Sequence, residues 1–291
     1  MAIKFSNIIG LKKSDFDELV SNEDISLRDA RLIPVLKTGD EMALTSVILS
    51  SMRIIKEFRN MILSDLKMLK NGQLFVYTEV TFPAINDNQK DSRIDGLALI
   101  VRSGIIRDAA IFEMKNGSTE LQVEQIQRYL DIAKKYSIPR LVTVSNQFVS
   151  EPTQFPLPIK NSKSTNLYHF SWSYLLTLAH ILLFKNDTNI EDEDQIEIMK
   201  EVVNYLEFDK SGVCGFNQMK AGWKEIIEKI NSSTQIKLND IGLEEAVQSW
   251  QQEEKDMALI LSRKLGVFVN SGDSKFKGDL KGRIESDNRK C

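Results

Sequence analysis

The sequence predicts an α/β protein: a mixed β-sheet flanked by helices, followed by a mostly helical C-terminal region. Three observations predict it. Apolar residues recur at three- and four-residue steps from Met42 to Leu66, the stripe of a helix lying on a core. Three segments rich in β-branched and aromatic residues follow with little between them, which favours a mixed sheet over regular βαβ winding. A helical stretch and a short apolar run close the series, so the order reads helix, three strands, helix, strand.

Residues 1 to 30 read as a polar N-terminal arm, with a weak helix over Ser14 to Val20 that Ser14 is suited to cap. The core is expected over 31 to 172. Its long helix carries Met42, Leu44, Val47, Ile48, Met52, Ile55, Phe58, Ile62 and Leu66 on one stripe, and Asn71-Gly72 is the expected stop. Strands are predicted at Gln73 to Phe82, Ile94 to Val101 and Ile106 to Lys115, with Arg102-Ser103-Gly104 as a hairpin turn. Leu121 to Tyr136 has helical periodicity, Pro139 stops it, and Leu141 to Ser145 is a short strand. Pro152, Pro156 and Pro158 mark 150 to 164 as a surface loop before a strand at Leu167 to Trp172. Helices at Leu175 to Phe184, Gln195 to Leu206, Gly222 to Ile230 and Glu244 to Leu265 make a helical region over 173 to 270, and 271 to 291 is a charged tail.

Composition narrows the function classes. With 42% hydrophobic and 27% charged residues among 291, the chain is an ordinary globular one. Its longest apolar run, Leu175 to Phe184, is broken by Thr177 and His180 and falls short of the roughly 20 residues that span a bilayer. No membrane partner is expected. The first residues lack a signal peptide's apolar core, and two cysteines make no disulfide framework, so a reducing cytoplasmic setting is expected. A net charge of −3 means that any nucleic acid must be held by a local patch. With His169 and His180 the only histidines and Cys214 the only interior cysteine, a metal here needs oxygen ligands rather than a His/Cys set.

The chemistry concentrates in Arg93-Ile94-Asp95-Gly96, Phe112-Glu113-Met114-Lys115 and Gln125-Ile126-Gln127-Arg128-Tyr129. A turn centred on Gly104 pairs Asp95 with Glu113, and opposite residues in an antiparallel pair share a face. Strand alternation puts Lys115 on that face too, at the end of an apolar row of Leu97, Leu99, Ala109 and Ile111. Gln125 and Tyr129, four apart, share one helix stripe. Two such carboxylates repel unless a cation lies between them. Hard oxygen ligands with open positions suit Mg²⁺ or Mn²⁺. A lysine there compensates charge, or orients or deprotonates a water if the cation lowers its pKa.

This set, Asp95-Gly96, Glu113-Met114-Lys115 and Gln125-xxx-Tyr129, resembles the active-site pattern of the PD-(D/E)xK nuclease superfamily, in the RecB-like branch with a Q-xxx-Y helix. The likeness covers about residues 40 to 172, and the superfamily's restriction-endonuclease-like element order, αβββαβ, is the order read above. It implies a Mg²⁺- or Mn²⁺-dependent nuclease acting on DNA more readily than RNA. Asp95 and Glu113 would ligate the metal with the Met114 carbonyl, and Lys115 would position or activate water. Gln125 and Tyr129 would orient Lys115 or contact the nucleic-acid backbone. Glu41 is the best match to a further acid on the first helix, ahead of Glu57. The motif's nominal Pro is replaced by Ile94. There is a broader similarity to nuclease domains of bacterial and phage-defence proteins such as Shedu.

Alternatives stay open: a catalytically silent nuclease-like module for binding or assembly, a hydrolase of smaller phosphate esters, and a homo-oligomer in either case. His169 and His180 read as packed, hydrogen-bonded residues, and Trp172, Trp223 and Trp250 as core anchors. Glu191-Asp192-Glu193-Asp194 suits a helix N-terminus, and Cys214, with no basic neighbour nearer in sequence than Lys210, is not expected to be a nucleophile.

Overall fold

Strands pair in chain order across one mixed sheet of six, from β1 (Ser26–Asp29) through β2 (Gln73–Phe82), β3 (Ser92–Arg102), β4 (Ile105–Met114) and β5 (Arg140–Ser145) to β6 (Asn166–Ser171). β1 to β4 are antiparallel neighbours; β4, β5 and β6 run parallel. The structure, a computed structural model, describes residues 7–22, 25–33, 37–83, 92–149, 151–159, 164–184, 189–237, 240–270 and 282. Apart from Gly282, the expected charged tail lies outside the described residues.

Each sheet face carries its own core. One buries Ala98, Ile100, Ala110, Phe112 and Met114 under α2 (Glu41–Ile54), α3 (Lys56–Asp65), α5 (Trp172–Leu183) and α6 (Glu193–Glu207). The other buries Leu97, Leu99, Ala109 and Ile111 against α1 (Lys13–Ser21) and α4 (Val123–Lys135). Alternation along β3 and β4 thus sends successive side chains into different cores. α7 (Ala221–Asn231) and α8 (Ile241–Leu265) form a helical pair with a small cluster of Ile226, Leu243 and Ala246, and α8 packs on α5.

Several expectations are corrected. The helix from Asp40 is two helices, broken at Ile55, which is extended (φ −100°, ψ 105°) and fully buried. Periodicity hid the break because the apolar residues on both sides still face one core. The second helix ends at Asp65, where Lys67 takes the left-handed conformation (φ 53°) and Met68 N–H reaches the Leu63 carbonyl at 2.8 Å; Asn71-Gly72 instead leads into β2. α1 starts at Lys13 with Lys12 as its N-cap and no side-chain cap, so Ser14 lies inside the helix. The N-terminal arm is no separate appendage: Ile8, Phe16, Leu19 and Ile25 are buried in the second core and β1 is the sheet's edge strand. Trp172 opens α5 rather than closing a strand. The proline-marked loop is partly a cover, since Phe155, Leu157 and Ile159 pack on the second core.

The hairpin turn is Ser103-Gly104, both left-handed (φ 52° and 73°), a two-residue connection that matches strand twist. Pairing at the turn runs Arg102 to Ile105 and Val101 to Ile106; a bulge at Arg107 then sets Ile100 against Asp108 and Gly96 against Phe112. The turn centre thus lies half a residue before Gly104, and the bulge restores the expected register.

Candidate functional site

Asp95 stands one residue before Gly96, whose partner is Phe112, so the register carries Asp95 to the side of Glu113. The two carboxyls interact directly. Asp95 Oδ2 also accepts the Met114 N–H at 2.8 Å, which holds β3 and β4 together at this end. Glu113 is 0% exposed. Its Oε1 accepts from Lys115 Nζ and from Gln125 Nε2, each at 2.6 Å, whereas its Oε2 is buried with no hydrogen-bond partner among the described residues.

Lys115 follows β4 and is fixed by its backbone: its N–H donates to the Val144 carbonyl at 2.8 Å, and its carbonyl accepts from Trp172 Nε1 at 2.8 Å. Its Nζ also lies 3.6 Å from Glu41 Oε2. Glu41 begins α2, where Asp40 caps by accepting the Met42 N–H, and Glu41 Oε1 accepts the Asn116 N–H at 3.2 Å. Side-chain exposure rises from 0% at Glu113 through 12% at Lys115 to 33% at Glu41, so the cluster opens to solvent on the Glu41 side.

The electrostatics follow from burial. The Glu113 carboxyl is pushed up to about 8, first by burial and then by the Asp95 charge. Asp95 is raised as well, chiefly by burial, against the Met114 N–H that favours its charged form. Burial works to lower Lys115, but its bond to Glu113 and the charges of Glu113, Glu41 and Asp95 outweigh that and hold its pKa above the ordinary lysine value. An unaided Lys115 is therefore an ammonium, suited to orienting and charge compensation rather than to taking a proton.

Gln125 bonds to Glu113, not to Lys115, and also donates to the Tyr129 hydroxyl at 2.9 Å. Tyr129 is buried, and its hydroxyl donates to the Arg93 carbonyl at 3.1 Å. That fixes the start of β3, and the bonds given for Gln125 and Tyr129 run to Glu113 and Arg93 rather than to Lys115 as expected. Glu57, at the start of α3, has no bond to this cluster among the described residues; its charge acts on Arg59. The Met114 side chain is buried in the first core.

The groups able to hold a cation are Asp95 and Glu113. An unpartnered buried carboxylate oxygen beside a second raised carboxyl fits a hard dication in chemistry. In number the set is small: among the described residues no group of three or more His, Cys, Asp or Glu side chains is gathered to hold a metal. An ion bound here would keep most of its shell for water or phosphate oxygens.

Three positions escaped the sequence reading. Asn116 Nδ2 donates to the carbonyls of Gly39 (2.7 Å) and Ser211 (2.6 Å). Asn146 donates to Gly117 and Gly212, both at 2.9 Å, and accepts the Cys214 N–H. Trp172 anchors Lys115. Isolated loop asparagines and an indole give no spacing signal.

Elsewhere His169 is fully buried between the Thr143 hydroxyl and the Gln147 carbonyl, and its pKa falls to about 4 through burial. His180 is half-buried and bonds Glu207 at 2.7 Å. Asp192 caps α6. Burial raises the Cys214 thiol. Trp172 anchors the first core; Trp223 and Trp250 stack on each other at 6.2 Å. No helix among the described residues is long and apolar enough to cross a membrane.

Comparison with models of known protein families, with curated proteins and with solved structures finds no match.

Proposed function

We propose that this chain is a Mg²⁺- or Mn²⁺-dependent phosphodiesterase with a restriction-endonuclease-like core, acting on DNA in preference to RNA. The observation that carries the reading is the Glu113 carboxylate, wholly buried, with one oxygen held by Lys115 and Gln125 and the other left without a donor beside Asp95. Most buried polar atoms in folded proteins have a hydrogen-bond partner, and here the orphan oxygen lies on a carboxyl that is paired with a second one. Further support comes from the order α2/α3, β2, β3, β4, α4, β5, and from the resemblance of the Asp95-Gly96, Glu113-Met114-Lys115 and Gln125-xxx-Tyr129 set to the nuclease pattern.

A bound dication supplies polarisation of the phosphate and a water of lowered pKa. Asp95 and Glu113 would hold it, with the Met114 carbonyl and Glu41 as further oxygen donors. Gln125 keeps the Glu113 carboxylate aimed. The Lys115 ammonium compensates charge on phosphate oxygens and fixes a water by donating to it. Trp172 and Val144 hold Lys115 by its backbone, so the side chain keeps its place when a substrate draws Nζ from Glu41.

The test is cleavage of plasmid, single-stranded and RNA substrates with Mg²⁺, Mn²⁺ or chelator. Wild type cleaves with metal only, and Asp95→Asn, Glu113→Gln and Lys115→Ala each lose about 10²- to 10⁴-fold with circular dichroism unchanged. A second reading, a silent binding module, is favoured by Lys115 being already engaged by Glu113 and Glu41. Calorimetric titration with Mn²⁺ separates the two: heat that disappears in Glu113→Gln supports the enzyme, and no uptake by folded wild type supports the module.

A further inference from the structure

The inner face of α8 is fixed to α5: Asp256 accepts from the Ser173 hydroxyl at 3.1 Å, Arg263 donates to Thr177 Oγ1 at 2.9 Å, and Ala258, Leu259 and Ser262 are buried. Its outer face is one row, Leu243, Val247, Trp250, Glu254, Met257, Leu261 and Lys264, reached by alternate steps of four and three residues. That spacing is the seam along which two helices pack side by side. α7 covers only the first part of the row. Leu243 and Val247 pack with Ile226, and Trp250 stacks on Trp223. Further along, the row is open: Met257 is 47% exposed and Leu261 48%, flanked by Ile260 at 37% and Leu265 at 55%. Val267 and Phe268, just past the helix, are exposed as well. At about 200 Å² for each such side chain when fully exposed, the six present roughly 600 Å² of apolar surface, and a patch of that size marks an interaction surface.

The two charges in the row identify what fits it. We propose that this face pairs with the same face of a second copy of the chain, the two α8 helices running antiparallel about a two-fold axis level with Leu259. Met257 then packs against the partner's Leu261, and Glu254 meets the partner's Lys264; the symmetry makes each contact twice. A parallel pair would set Glu254 on Glu254 and Lys264 on Lys264, which repel, so the charges choose the antiparallel orientation. They also count against a bilayer as the occupant, because lipid tails offer neither charge a partner. The partner helix takes the part of the seam that α7 leaves open, end to end with α7. Covering the patch in both copies removes on the order of 1,200 Å², the lower end of specific interfaces, and association in the micromolar range is expected. The pairing does not depend on the phosphodiesterase reading, and cleavage plays no part in its test.

The experiment is sedimentation velocity of the full chain from about 1 to about 100 µM, a range that brackets the expected dissociation constant. The expected result is a shift from one chain mass to two. Leu261→Glu, at a side chain already half in solvent, keeps the fold and raises the dissociation constant about 30-fold. Should it misfold, Met257→Glu reads the same layer. Lys264→Glu alone sets like charges across the seam and weakens the dimer about tenfold, and adding Glu254→Lys restores it. Circular dichroism and the urea midpoint establish that the variants are folded. A single chain mass at every concentration overturns the proposal, and binding of that monomer to phosphatidylcholine vesicles would then assign the face to a membrane. A dimer that survives both Leu261→Glu and Met257→Glu lies on another surface and overturns it equally. A dimer indifferent to Lys264→Glu, or not restored by the double charge reversal, overturns the antiparallel pairing.

Discussion

Lys115 Nζ sits 2.6 Å from Glu113 Oε1 although the two side chains belong to one strand end two residues apart, and Gln125 donates to that same oxygen. One oxygen of a buried carboxyl thus accepts two hydrogen bonds, while the other accepts none among the described residues. Lys115 keeps this asymmetry because its main chain is tied to β5 on one side and to Trp172 on the other.

Trp172→Phe tests the anchoring. It keeps an aromatic ring in the first core but leaves a void where the second ring of the fully buried indole stood and removes the N–H from the Lys115 carbonyl. The expected loss of stability is about 2–4 kcal/mol, and under the proposed function metal-dependent cleavage falls further than that loss explains. Urea unfolding and kcat on one preparation give both numbers; unchanged cleavage would remove Trp172 from the positioning of Lys115.

Gly96→Ala probes how closely α2 crosses β3. A Cβ at Gly96 would lie 2.7 Å from Leu49 Cδ1 and 3.3 Å from Thr45 Cγ2, both on α2, and 3.2 Å from Phe112 Cβ. Leu49 can turn aside, but Thr45 is held to the Glu41 carbonyl at 2.7 Å. The helix must lift, at a cost of about 1–3 kcal/mol, and Glu41 moves from Lys115 with it. The expected result is a lower midpoint in urea together with weaker Mn²⁺ uptake; a midpoint equal to wild type would show that the crossing has slack.

Much of this was legible in the sequence, for definite reasons. Gln73 to Phe82 matches β2 to the residue because aromatic and β-branched content ends sharply at Pro83. The Asp95–Glu113 pairing was legible from hairpin arithmetic, although the bulge at Arg107 that secures it was not. The break at Ile55 left no trace, since periodicity reports which side faces the core and not whether the backbone is continuous. β1 was missed because an exposed four-residue edge strand has no apolar alternation to show. The Asn116 and Asn146 links join residues far apart in the chain, and no local pattern encodes them.

Asn116→Ala measures one such link. Its amide satisfies carbonyls at Gly39 and Ser211, and Gly212 is left-handed (φ 79°) with no room for a Cβ, which would lie 2.4 Å from Asn116 Nδ2. Truncation leaves two carbonyls unpaired and opens space beside Glu41. The predicted loss is about 1–3 kcal/mol in urea unfolding. Restoring most of it with Asn116→Asp would argue that packing, not donation, is what the site needs.

The pH dependence of stability tests the charge state of the pair. Glu113, raised to about 8 from an ordinary 4.5, keeps in the folded protein a proton that the unfolded chain has released. Stability therefore falls as pH rises between those values, and the raised Asp95 acts with the same sign. His169, lowered to about 4 from 6.5, acts oppositely: the unfolded chain is protonated where the folded ring is not, so stability rises with pH across that range. The two trends oppose below pH 6.5, and the carboxyl effect stands alone above it, because Lys115, raised above 10.5, stays charged throughout. In chelator the Tm is expected to fall from pH 6.5 to 8, and Glu113→Gln flattens that fall. If the proposed metal site is correct, Mn²⁺ shrinks that fall in wild type by binding the ionised form. A slope identical in wild type and Glu113→Gln would assign the titration to another group and leave the carboxyl pair without its raised proton.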